Sequence, residues 1–153
     1  MRILLTLADA GVEFILVGGV AAVIQGVPLV THDVDIVPRL TAENLDRMYA
    51  VLLSLHATLR GRPGPPLTPA RHHLGPGHLL LKSDQGWLDV LGTLHGSRGW
   101  DELAPRATML EVEGRAIRVL DLATIREIKA ELATPRDQAH ILMIDAVLAR
   151  SRR

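Results

Sequence analysis

The chain has no cysteine, which excludes disulfides and thiolate metal sites and is compatible with a reducing cytosol. Aromatic residues are scarce: Phe14, Tyr49, Trp87 and Trp100 are the whole set, 3% of 153 residues. So few rings argue against a stacking platform for single-stranded nucleic acid. An excess of one charge is also missing, since 17 basic residues face 17 acidic ones. Duplex DNA is therefore not an expected partner, because such binders depend on many cationic phosphate contacts. The longest wholly apolar run, "FILVGGVAAVI" (14–24), is 11 residues long. A membrane span needs about 20, so no membrane partner is expected. The opening "MRILLTLADAG" carries too short an apolar stretch for a signal peptide. It reads instead as a short amphipathic helix stopped by Gly11, and the expected localisation is cytoplasmic. No G-K-[ST] follows a glycine loop, no G-x-S-x-G occurs, and the seven histidines form no metal-ligand spacing.

What is present is an ordinary globular composition, 48% hydrophobic and 22% charged, sufficient for one domain over 1–153 with a real core. The pattern predicts a strand over 12–17, a short helix over 20–26, a strand over 30–38 and a helix over 40–55 capped by Thr41. A hairpin with its turn near Ser83–Gly86 is expected over 79–94, and a second over 108–120. Helices follow, one over 122–133 capped by Asp121 and another opened by Thr134 and Pro135. The fold class is therefore α+β: a mixed β-sheet flanked by helices, with an α/β core over 1–120 and C-terminal helices over 121–150. Residues 57–78 stand apart. They hold five prolines, four glycines and a purely basic charge from Arg60, Arg62 and Arg71, and are expected to form a mobile loop.

Four features bear on chemistry. "VTHDVDIVP" sets Asp33 and Asp35 at i and i+2 of an apolar strand, aiming two carboxylates at one face roughly 6–7 Å apart. A charged group there needs a compensating partner. Hard cations such as Mg²⁺ take such oxygen ligands, while a strand end facing solvent is the plainer alternative. "GWLDVLG" places Asp89 inside another apolar strand, as a partner for an arginine or as a third ligand. Gly18-Gly19 joins a strand end to a helix start, where absent Cβ atoms serve either tight packing or the approach of an anion. Lys129 sits on the edge of the Ile125, Ile128, Leu132 stripe, turned to solvent or toward the charge of a triphosphate. Arg136 and Asp137 follow at the next helix start, as caps or as support for that site. His32, beside the carboxylates, reads as a strand-edge residue.

Taken in order, "LVGGVAAVIQGVPLVTHDVDIV", "GWLDVL" and "IREIKAELATPRDQAHI" resemble the polymerase-β-like nucleotidyltransferase superfamily. They look closest to small bacterial abortive-infection-type (AbiEii-like) proteins. The likeness covers most of the chain except 57–78. It implies a nucleotidyltransferase-like fold in which Asp33, Asp35 and Asp89 hold two Mg²⁺ ions, Gly18 and Gly19 hold the nucleotide's phosphates, and Lys129 supports the triphosphate. The implied activity is Mg²⁺-dependent transfer of NMP from a nucleoside triphosphate to a hydroxyl on a protein, an RNA end or a small molecule. The implied setting is a toxin–antitoxin or phage-defence system with a toxin or antitoxin partner. The alternative is an inactive relative that binds nucleotide or a partner protein. Two positions depart from the family pattern: Leu29 and Thr134 stand where many relatives carry a basic residue.

Overall fold

A computed structural model describes all 153 residues. The elements run α1 (Arg2–Asp9), β1 (Phe14–Val17), α2 (Gly18–Ile24), β2 (Val34–Pro38), α3 (Ala42–Ser54), β3 (Thr58–Leu59), β4 (His78–Ser83), β5 (Gly86–Leu91), α4 (Trp100–Leu103), β6 (Ala107–Val112), β7 (Arg115–Leu120), α5 (Leu122–Leu132) and α6 (Pro135–Ser151). All seven strands join one mixed sheet, ordered β3-β4-β5-β2-β1-β7-β6. The class is α+β, with a helical C-terminus.

Local chemistry explains most boundaries. Thr41 caps α3 by accepting from the Asn44 N–H, Asp121 caps α5 by accepting from the Thr124 N–H, and Thr134 caps α6 by accepting from the Asp137 N–H. Each side chain satisfies one of the donors a helix start leaves free. The β4–β5 turn falls at Ser83–Gly86. The β6–β7 hairpin turns at Glu113-Gly114, both with positive φ (48° and 80°), the backbone that tight hairpins require. Ala133 ends α5 in the left-handed region, at φ 52°, and turns the chain directly into α6.

Two expectations need correction. The aspartate strand begins at Val34, so Asp33 lies on the connection entering it and only Asp35 is a ladder residue. Exposed Val30 and the absence of ladder partners before Val34 explain the late start. The helix expected over 20–26 begins at Gly18, because the chain leaves β1 straight into the helical turn. The segment 57–78, for its part, is tied down at several points. Its first residues form β3 against β4, the Leu59 N–H donates to Leu67 O at 2.8 Å, and Tyr49 Oη donates to Pro69 O at 3.1 Å.

The core is a single cluster of buried aliphatic side chains, with Ile15, Leu16, Ile36, Leu81, Leu88, Ile117 and Val119 from the sheet meeting Ile3, Leu7, Met48 and Leu52 from the helices. At about 25 cal/mol per Å² removed from water, such a cluster supplies the main driving force for folding. β1 is buried along its whole length, as befits a strand near the middle of the sheet. No helix is long and apolar enough to cross a membrane.

Candidate functional site

The site grows from sheet register. β2 runs parallel to β5 with Asp35 opposite Asp89, and antiparallel to β1 with Asp35 opposite Val17. Paired residues of neighbouring strands point to the same face, so the two carboxylates emerge side by side. Asp33 joins them two residues upstream. Gly18, next after Val17, sits against Asp35 so closely that a Cβ there would lie 2.2 Å from Asp35 Oδ2. Its φ of +68° independently favours glycine. A Cβ on Gly19 would meet Thr31 Oγ1 at 2.8 Å. Both glycines are thus required by the close packing of Asp35 and Thr31 onto the start of α2.

The opposite wall comes from the C-terminal helices. One cleft of about 410 Å³ is lined by Gly18, Gly19, Thr31, Asp33, Asp35 and Asp89 on one side, and by Lys129, Arg136, Asp137 and His140 on the other. All six residues singled out from the sequence, Asp33, Asp35, Asp89, Gly18, Gly19 and Lys129, therefore share one cavity. His32 is exposed and does not line it. Lys129 does not run out to solvent. Its Nζ donates to Asp137 Oδ1 at 3.2 Å, and the two side chains are 14% and 12% exposed. Asp137 also accepts from the Thr134 hydroxyl at 2.5 Å. Although burial works against the charged form, Thr134 and Lys129 hold the Asp137 carboxyl below its ordinary pKa. Asp137 thus serves both the α6 start and the lysine.

The acids sit in a costly environment. Burial, then the charge and hydrogen bond of Asp89, then Asp33, push Asp35 up to about 7, against a smaller opposing pull from Lys129. A carboxylate raised in this way wants positive charge. Asp89 already has some: Arg60 Nη2 donates to its Oδ1 at 2.8 Å. Of the two roles open to Asp89, arginine partner or ligand, the first is present: Asp89 lines the cleft and Arg60 holds it from outside the lining. Three oxygen donors on one cleft are the donor set that hard divalent cations take, so the residue chemistry fits Mg²⁺. As they stand, no three acidic or imidazole groups are near enough to grip one ion together.

Comparison with solved structures matches a Thermotoga maritima protein provisionally assigned as a nucleotidyltransferase. The TM-score is 0.60 at 19% identity, over 92% of this chain and 88% of that one. The fold is nucleotidyltransferase-like. No protein-family model matches the chain, and no curated protein matches it. Within this nucleotidyltransferase-like fold, two residues of the cleft region escaped sequence reading. His140 lines the cleft with its Nδ1 buried and unpartnered, its pKa lowered by burial and then by Lys129 and Arg136. Its position one turn beyond Arg136 on α6 was the available signal. Arg60 was visible only as part of a basic loop, and nothing local links it to Asp89.

Proposed function

We propose that the protein is a Mg²⁺-dependent nucleotidyltransferase that moves NMP from a nucleoside triphosphate to a hydroxyl acceptor, in the manner of the abortive-infection-type proteins it resembles. The observation that carries this reading is the register pairing of Asp35 with Asp89, inside a cleft whose far wall carries Lys129 and Arg136. Acids facing Arg136 and the Lys129–Asp137 pair across about 410 Å³ suit a metal-bridged triphosphate better than an apolar ligand.

In this reading Asp33, Asp35 and Asp89 would hold the divalent ions, two in the family pattern. Bound there, such ions neutralise triphosphate charge and acidify the acceptor hydroxyl. Gly18 and Gly19 keep the turn after β1 free of side chains, so the phosphates approach backbone N–H groups at the start of α2. Lys129 and Arg136 face the β- and γ-phosphates. The acceptor oxygen forms a bond to the α-phosphorus, the bond to pyrophosphate breaks, and Asp89 takes the hydroxyl proton as general base. The acceptor classes are a protein hydroxyl, an RNA 3′ end and a small molecule.

Incubating the protein with each α-labelled nucleoside triphosphate, Mg²⁺ and cell extract tests this. Label should pass to one acceptor, and Asp35→Asn and Asp89→Asn should abolish the transfer while circular dichroism stays native. Undiminished transfer by both variants refutes the assignment. A second reading, binding of nucleotide without turnover in a toxin–antitoxin or defence pair, is favoured by one feature: Asp89 and Lys129 are already paired, to Arg60 and Asp137. Calorimetric binding of Mg²⁺ and nucleotide with no label transferred selects it.

A further inference from the structure

Arg60 belongs to the segment that lies outside the family resemblance, yet it is the one cation hydrogen-bonded to any of the three acids. Its placement is built at four points. Directly after β3, its backbone N–H donates to Leu80 O at 2.9 Å, extending the ladder onto β4. Leu80 is in turn the register partner of Asp89, so the side chain crosses one strand to reach the acid. On the way the guanidinium lies over the Trp87 ring, 4.4 Å from its centroid, and Nη1 donates to Leu81 O at 3.5 Å. The Arg60 and Asp89 side chains are 19% and 14% exposed, far drier than the surface pairs that contribute nothing measurable.

We propose that Arg60 is a positioning residue, which holds the Asp89 carboxylate beside Asp35 through the Arg60–Trp87–Asp89 stack. Two carboxylates at adjacent register positions repel, and Asp89 is free to relieve that repulsion by rotating about χ1 and χ2. Lys129, the cation that acts on Asp35 across the cleft, is committed to Asp137. The Arg60 fork, flat against an indole and bonded at fixed angles, supplies both the opposite charge and the direction. Residues 57–60 therefore support the cleft from behind Asp89, outside its lining, and Asp89 keeps its orientation only while β3 is docked on β4. Partners of this kind behind metal-ligating groups commonly cost 10–100-fold in activity or metal affinity when removed.

The activity arm of the test rests on the transfer reading; the second arm does not. Arg60→Ala and Arg60→Lys are made in a Trp100→Phe background, where Trp87 is the sole tryptophan. For Arg60→Ala, kcat for label transfer falls about 10–100-fold while KM for the nucleotide stays within about two-fold, and Arg60→Lys recovers part of the loss. Independently, Mg²⁺ added without nucleotide changes Trp87 emission in the parent and leaves it unchanged in Arg60→Ala, because the acid and the ring communicate through the guanidinium. Parental kcat in Arg60→Ala overturns the proposal. So does an equal loss in both variants that follows the folded fraction measured by thermal melting. A Trp87 response to Mg²⁺ that survives in Arg60→Ala overturns it as well. A parent that labels nothing removes the transfer reading instead and leaves the emission titration to decide the role of Arg60.

Discussion

Replacing Asp35 by Asn should make the metal-free protein more stable while removing its activity. In the folded chain burial, Asp89 and Asp33 push Asp35 up to about 7, against an ordinary 3.8. A group whose folded pKa is raised keeps a proton that the unfolded chain has lost, so stability declines as pH climbs through that window. The full cost is present above pH 7, and at 1.36 kcal/mol per pKa unit its ceiling is about 4 kcal/mol. Asn is nearly isosteric with the protonated acid but must place an amide against Gly18, so a net gain of about 2 kcal/mol is expected at pH 8. For a chain of this length that corresponds to roughly 4–8 °C in Tm. Urea and thermal unfolding of both proteins in EDTA, at pH 8 and pH 5, measures the difference, in which the titrating groups remote from Asp35 cancel. The gap should be about 2 kcal/mol at pH 8 and close to zero at pH 5, and Mg²⁺ should raise the Tm of the parent more than that of the variant. A variant less stable than the parent at pH 8, or a gap of the same size at both pH values, refutes the account of a strained acid cluster.

Other predictions follow from the same cleft. Gly18→Ala forces a side chain to φ +68°, costing about 1–2 kcal/mol, and drives a Cβ to 2.2 Å from Asp35 Oδ2. Thermal melting should show the loss, and an unchanged Tm would falsify the close-packing role of that glycine. Lys129→Met leaves Asp137 buried without its cation, at a cost of about 3 kcal/mol by chemical denaturation, and should raise KM for the nucleotide more than it lowers kcat. Thr134→Ala removes the α6 cap and one support of the depressed Asp137 pKa, at about 1 kcal/mol. The stability contributed by Asp137 is present above the unfolded carboxyl pKa and is lost as pH falls through the lower folded one. The deficit of the Thr134→Ala variant should therefore shrink in strong acid, as read by acid-unfolding curves.

The legible parts were those written in local chemistry. Thr41, Asp121 and Thr134 announce their helices within four residues, and the Ser83–Gly86 turn is equally local. Asp35 and Asp89 stand out because an acid in an apolar strand contradicts its surroundings, and Asp33 stands out beside Asp35. Arg60 was illegible as a site residue because its partner lies 29 positions away and is reached only through β3–β4–β5 pairing. The Pro/Gly-rich composition of 57–78 also masked β3, a strand of two residues, too short for any alternation to show. The late start of β2 was hidden in the same way, since Val30 has strand propensity but no neighbour to pair with.

Chain order around the cleft has a consequence during synthesis. The acids are complete once residue 89 has been made, whereas Lys129, Arg136 and Asp137 come about 40 residues later. At about 5–20 residues per second, a ribosome would carry the acidic half without its facing helical wall for some 2–8 seconds. In that interval Arg60, already translated and next to β4, is the counter-ion in place for Asp89.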